Sequence, residues 1–351
     1  MINMLLVGPL PPPMGGNTRH FKVLLEDLQS DDRVSVCLVN TSRQQSFSNS
    51  LTNLITGFKT ILSVMAKIRS SDIISFHASN RGMYVFGPII VAMAKIARVP
   101  IVLRIFGGSF GDFYEQRNSV GKVVIRRLVL SADIIFLQTK RSIRHLKRHS
   151  RGRLEWLSTY IRTDNSRAPT NESSGRASCT RFIFLGHLWR RKGLETILEA
   201  VSSLPDEICI DIFGPLDEYT EVELRRRGLG RARYCGFLTH DEVDQKLWDY
   251  DCLLLPTFHP SEGYPGVIAE AFAHGVPVIS TNWLAIPEIV DDSCGILIDP
   301  KDTAALVKAM LTLYGDYFLW QKLCEGAQKR AVQFDHSIWS EKFVTVCKQL
   351  V

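Results

Sequence analysis

Two glutamates, Glu262 and Glu270, stand in the segment S-E-G-Y-P-G-V-I-A-E-A-F-A-H-G that runs from Ser261 to Gly275. Glu262 follows the apolar run Cys252 to Leu255, and Glu270 falls about one turn into a helix opened by Gly266. Carboxylates at two depths can each accept hydrogen bonds from sugar hydroxyls, while Gly263 and Gly266 free backbone N–H groups for phosphate oxygens. Paired carboxylates also serve glycoside hydrolysis, where they flank one bond at about 5 to 10 Å. With one in a loop and the other inside a helix, shared attack on a single carbon is the less natural use.

A second segment, F-L-G-H-L-W-R-R-K-G-L-E-T-I-L-E-A from Phe184 to Ala200, ends a strand at Gly186 and opens a helix after Gly193. Between them stand Arg190, Arg191 and Lys192. Three cations at a helix start oppose the helix dipole, a cost that an ordinary solvated helix would avoid. At the carboxyl end of a strand they form a clamp for a diphosphate, neutralising charge on a departing nucleotide. A third segment, Gly8 to His20, joins a strand to a helix through Gly15 and Gly16, where free helix N–H groups can meet an anion. It matches neither G-x-G-x-x-G nor G-x-x-x-x-G-K-[ST], so a proline-stiffened turn with an ordinary cap is the competing interpretation.

These segments need a scaffold that brings strand ends together. Short apolar runs alternate with helix-length amphipathic stretches from Asn3 to Leu137 and again from Phe182 to Ser280. Strands alternating with helices predict parallel, doubly wound sheets, whose ligands bind at the carboxyl ends of the strands. Between Arg162 and Thr180 the chain turns rich in Ser, Asn, Arg and Thr and loses its apolar period, which marks a linker. With 351 residues the chain is long enough for two domains. The expected division is 1–165, 166–335 and a terminal helix, 336–351, returning to the first domain. The tail from Ala304 to Leu350 reads as helical, with breaks near Gly315 and Asp335.

The E-x7-E spacing of Glu262 and Glu270, the Lys192-Gly193 pair and the early Gly15-Gly16 loop resemble the retaining GT-B glycosyltransferases of family 4. The likeness extends through Y-C-G-F-L at Tyr234 to Leu238 and G-V-P-V-I-S-T at Gly275 to Thr281. It implies an α/β fold of two Rossmann-like domains facing across a cleft, with C-terminal helices packed on the first. It further implies that Lys192 holds the donor diphosphate, Glu262 touches the transferred sugar, Glu270 binds the ribose, and Gly236, Phe237 and Leu238 contact the base. The donor-binding set then comprises Gly15, Gly16, Arg190, Arg191, Lys192, Gly236, Phe237, Leu238, Glu262, Gly263, Gly266, Val267 and Glu270. His77, after the apolar run Ile73 to Phe76, is similar to the family histidine near the reaction centre, so His77, Lys192 and Glu262 form the expected catalytic set. Family members commonly carry arginine where His187 stands, and a neutral imidazole is the weaker anion partner. Either Arg190 or Arg191 replaces it, or the phosphates protonate His187, or donor affinity falls.

Composition narrows the partners. Eight scattered cysteines include no C-x-x-C pair and no zinc spacing, so neither metal nor cofactor is expected beyond the nucleotide sugar. Residues 1–170 hold 24 Lys plus Arg against 10 Asp plus Glu, a balance of +14, while the remainder holds 18 against 26, or −8. The basic half is expected to meet a lipid-linked or glycan acceptor at an anionic membrane surface, through the dense segment Lys140 to Arg153 in which Ile143 and Leu146 are interspersed. Nucleic acid is disfavoured, because no aromatic-basic interleaving or helix-turn-helix pattern stands out. Met1 to Val7 runs straight into a strand without a basic and apolar leader, and the apolar window Tyr84 to Leu103 is broken by Lys95, Arg98 and Pro100. A cytoplasmic enzyme, peripheral on the inner face of the membrane, is the resulting expectation. A GT-B epimerase or phosphorylase, or a non-catalytic nucleotide-sugar binder, is the alternative.

Overall fold

The computed structural model describes all residues except 13–14, 43–49, 163–177 and 227–230, and leaves aside the side chains of 50–56 and 225. The expected linker therefore lies largely outside the described residues. The chain forms two compact units, Met1–Arg162 with Asp335–Val351, and Thr163–Phe334.

Unit 1 alternates β1 (Ile2–Gly8), α1 (Gly16–Gln29), β2 (Val34–Asn40), α2 (Ser50–Lys67), β3 (Ile73–Ser79), α3 (Asn80–Ala97), β4 (Ile101–Phe106), α4 (Phe110–Glu115), α5 (Ser119–Arg127), β5 (Ile134–Leu137), α6 (Lys140–Leu146) and β6 (Arg153–Trp156). Its strands pair in parallel in the order β2-β1-β3-β4-β5-β6. Unit 2 follows with β7 (Arg181–Leu185), α7 (Leu194–Ala200), β8 (Cys209–Phe213), α8 (Glu221–Arg226), β9 (Ala232–Tyr234), α9 (His240–Leu247), β10 (Cys252–Leu255), α10 (Gly266–Ala273), β11 (Val278–Thr281), β12 (Gly295–Ile298), α11 (Thr303–Gly315) and α12 (Tyr317–Ala331). Here the parallel order is β12-β11-β10-β7-β8-β9. The chain thus reverses its direction of winding between β1 and β3 in unit 1 and between β7 and β10 in unit 2, the two places where such sheets bind ligands.

Strands buried on both faces carry continuous apolar runs, and each sheet packs between helical layers. In unit 1 one face packs Leu5, Phe76, Leu103 and Ile105 with Met83 and Ile90 of α3, and the other packs Met4, Leu6 and Phe136 with Phe21 and Leu24 of α1. The helical tail divides at two aspartates. Asp316 accepts from Leu319 N at 2.9 Å and Asp335 accepts from Ser337 N at 2.7 Å, so each caps a new helix. The last of these, α13 (His336–Lys348), joins unit 1. Phe343 and Trp339 are buried in the α1 face of the core, and Lys342 Nζ donates to the Trp156 carbonyl at 2.7 Å. Among the described residues no helix is long and apolar enough to cross a membrane.

Candidate active site

In unit 2, the loops leaving β7 and β10 are stitched together. After β7, Arg190–Lys192 form one 3-10 turn that closes on Gly193 at φ 86°. A Cβ at Gly193 would stand 2.1 Å from the Pro256 carbonyl oxygen, so only glycine supplies both the left-handed backbone and the clearance. Phe258 N donates to the Arg191 carbonyl at 2.8 Å, and Thr257 Oγ1 lies 3.2 Å from the same oxygen. This contact brings Lys192 Nζ to 2.7 Å from Glu262 Oε2, and Thr257 Oγ1 donates to that carboxylate oxygen at 2.8 Å. The side chains are 16% and 9% exposed, enough burial to strengthen the pair's electrostatics while leaving an edge open. An ammonium has three donors and Glu262 occupies one, so the others remain available for an anion.

The walls of this loop cluster are aromatic. His187, Trp189 and His259 stack in a ladder, with centroids 4.8 Å and 5.3 Å apart. Asp217 Oδ2 lies 2.8 Å from His187 Nδ1, and Ser261 N donates to His259 Nδ1 at 3.2 Å. Burial pushes the His259 imidazole below its ordinary range, with Glu262 opposing and Lys192 and Arg191 reinforcing the shift. Glycine also shapes the neighbouring strand end: at Gly214, φ 150°, a Cβ would meet the Gly186 carbonyl oxygen at 1.8 Å, so β7 and β8 end in close backbone contact.

Glu270 projects from α10 and lies 3.6 Å from His240 Nδ1 at the start of α9, with its side chain 13% exposed. Gly263 is buried, and Gly266 opens α10 with Val267 beside it and nothing within 4 Å of a Cβ at Gly266. Ile268 N donates to the Pro265 carbonyl at 3.1 Å, which leaves the Gly266 and Val267 amides as the helix-start donors without an intrahelical acceptor. The loop after β9 presents Gly236, Phe237, which is 62% exposed, and half-buried Leu238. Lys192 and Glu262 therefore meet directly, while Glu270 and residues 236–238 occupy the adjacent carboxyl ends of the same sheet.

Three expected features have surroundings that the sequence did not reveal. His77 does not end its strand at a surface: it is 1% exposed inside β3, 2.7 Å from Ser75 Oγ, with its ring against Phe21, Phe106 and Phe343. Because side chains alternate along a strand, residue 77 shares a face with Ser75, and its ring is packed among core aromatic side chains. Arg190 is engaged by carboxylates, since Glu195 at 2.7 Å and Glu223 at 3.2 Å hold its guanidinium over the Tyr219 ring. Arg191, its neighbour, is exposed. In α6, Leu146 is buried and Ile143 packs partly against the core, while Arg141 pairs with Asp112 at 2.5 Å, so the segment offers no apolar face to lipid. Gly15 and Gly16 do open α1, with no atom within 4 Å of a Cβ at either.

Thr257, Trp189, His259 and Asp217 escaped sequence reasoning. Thr257, fully buried, follows an apolar strand and precedes Glu262 by five residues, a position from which a polar side chain could have been suspected. Trp189 and Asp217 carry no spacing signal, since only the sheet order brings them together.

Two doubly wound parallel units in this order make up the GT-B glycosyltransferase fold. Anabaena HepE, solved in complex with UDP-glucose, shares it with a TM-score of 0.74 at 18% identity over 99% of this chain and 100% of that one. Sucrose-phosphate synthase from Thermosynechococcus elongatus shares it with a TM-score of 0.72 at 16% identity, over 100% and 99% of the two chains. Residues 179–316 match the model of the family described as Glycosyl transferases group 1. The chain is similar to TuaC of Bacillus subtilis, named as a teichuronic acid biosynthesis glycosyltransferase, at 26% identity over 67% of this chain and 60% of that protein. It is also similar to the O-antigen chain mannosyltransferase B of Escherichia coli, at 27% identity over 35% of this chain and 34% of that protein. These matches span less than two thirds of either relative.

Proposed function

We propose that this chain is a retaining, metal-independent glycosyltransferase. It moves a sugar from a nucleoside diphosphate sugar to a lipid-linked or polysaccharide-precursor acceptor in cell-surface glycan synthesis. The observation that carries this reading is the pairing of Lys192 with Glu262 and Thr257 at the winding reversal between β7 and β10. There Lys192 stabilises the leaving diphosphate together with the Gly266 and Val267 amides of α10, Glu262 orients the transferred sugar, and Glu270 accepts from ribose hydroxyls. The leaving phosphate helps to take the acceptor's proton. The named activities of TuaC and the O-antigen mannosyltransferase support the substrate class.

A thermal-shift screen of UDP, GDP, ADP and their common sugars tests the reading. A ligand of the native state at about 100 times its Kd adds about 2.7 kcal/mol of stability. One nucleotide series should raise the melting temperature of the wild type, and Glu270→Ala should shrink that rise while leaving the unliganded temperature near its original value. Failure of every nucleotide to shift the wild type would defeat the assignment.

Attachment to an anionic bilayer suits a different part of unit 1 from α6. Along α2, Phe58, Leu62 and Met65 are exposed, as are Val85, Ile89 and Ile96 of α3 and Val120 and Val123 of α5. Helix α3 packs against both α2 and α5, and exposed Lys59, Arg69, Lys95, Arg98, Arg126 and Arg127 lie on or beside these three helices. Apolar side chains interleaved with cations bind an anionic interface through both area and charge. Sedimentation with phosphatidylglycerol liposomes should show binding that weakens with salt and falls when Phe58 and Ile96 are both changed to serine. Equal sedimentation with neutral and anionic liposomes would remove this part.

A further inference from the structure

Unit 1 buries a cation to which the described residues supply no counter-charge. Arg104, in β4, is 2% exposed, and its register partner on β3 is His77. Its Nη2 donates to the Ser158 carbonyl at 3.1 Å, and its guanidinium carbon lies 5.3 Å from the Phe106 ring centre and 5.0 Å from that of Tyr160. Arg104 Nε and Nη1 have no hydrogen-bond partner. Nor do His77 Nδ1, His20 Nδ1 or Ser158 Oγ, all buried in the same part of the core.

Arg104 and Ser158 can donate outright, and the two imidazoles donate from Nδ1 in the tautomer whose Nε2 accepts from its hydroxyl partner. His77 Nε2 lies 2.7 Å from Ser75 Oγ and His20 Nε2 lies 2.7 Å from Thr159 Oγ1. A neutral ring that accepts a hydroxyl proton at Nε2 carries its own hydrogen on Nδ1. Burial, reinforced by Arg104, keeps both rings neutral, pushing His20 down to about 3 and His77 well below its ordinary value. Arg104 is then the one formal charge of the group. Asp27, the carboxylate that bears on Tyr160, is occupied by His336 at 2.8 Å and Arg162 at 2.7 Å. Isolated buried charge and unpaired buried donors both carry large desolvation costs, which an anion at this point relieves together.

We propose that Arg104, His77, His20 and Ser158 form an internal site for a small inorganic anion, a structural counter-ion of unit 1 separate from the proposed donor site. The full-length protein, purified in chloride and phosphate, should be desalted into gluconate, acid-unfolded and assayed by ion chromatography. A stoichiometric small anion should be released from the wild type and none from Arg104→Met. In parallel, chloride or phosphate added to gluconate at constant ionic strength should raise the melting temperature of the wild type. The rise should persist in Lys192→Ala, which excludes binding at the loops of unit 2, and disappear in Arg104→Met. Should Arg104→Met fail to fold, Ser158→Ala, which removes one donor and no charge, should show a smaller rise. Release of no anion, together with identical melting in all three salts, would overturn the proposal in favour of enclosed water.

Discussion

Lys192→Ala is expected to lower sugar transfer by about 10²- to 10³-fold, the range for removing one preorganised group that meets developing charge. The loss should fall mainly on kcat, since the diphosphate carries more negative charge as it departs than in the bound donor. The variant has a second effect that must be separated. Glu262 has its side chain 9% exposed and would keep only Thr257 as a partner, so an unpaired carboxylate remains in a partly dry site. Breaking a buried pair from one side destabilises more than removing both charges. Lys192→Ala should therefore melt lower than the wild type, and the double variant Lys192→Ala, Glu262→Gln should recover much of that temperature while transferring no faster. Steady-state kinetics and melting curves on the three proteins decide the matter. An undiminished kcat in folded Lys192→Ala would remove the diphosphate clamp from the mechanism.

How far this site could be read in advance depended on the kind of information each residue carries. The placement of Lys192, Gly193, Glu262 and Glu270 was legible because each occupies a fixed offset from an apolar strand or a helix start, and such offsets survive without knowledge of the fold. The two sheets were legible for the same reason, since apolar runs alternating with amphipathic stretches leave few topologies. Facing was not. Residue 77 stands where a strand-end ligand would be expected, yet β3 runs on through Ser79, which leaves the imidazole on the buried face beside Ser75. Arg190 and Lys192 are two residues apart in one cationic run, but Glu195 and Glu223, brought by α7 and α8, claim one and leave the other. Tertiary neighbours, invisible to local pattern, decided both.

The same reasoning makes Gly193 and Gly236 a matched pair. Both hold positive φ, at 86° and 91°, so an alanine at either carries a left-handed backbone cost of roughly 1 to 2 kcal/mol. Only Gly193 is also crowded: its Cβ would stand 2.1 Å from the Pro256 oxygen, whereas nothing lies within 4 Å at Gly236. Backbone cannot yield as a flexible side chain does, so Gly193→Ala must part the loops after β7 and β10, at a total cost of roughly 3 kcal/mol or more. With about 2 to 4 °C lost per kcal/mol for a unit of this size, melting should fall by roughly 6 to 12 °C for Gly193→Ala and by several degrees less for Gly236→Ala. Activity should separate them further. Parting those loops moves Lys192 away from Glu262, and displacement by about 1 Å is enough to cost about 10²-fold in rate. Gly193→Ala should thus lose transfer nearly as severely as Lys192→Ala at temperatures where it remains folded, although it removes no charged group. If the two alanine variants melted alike and Gly193→Ala transferred normally, the contact with Pro256 would not be what sets the Lys192 and Glu262 geometry.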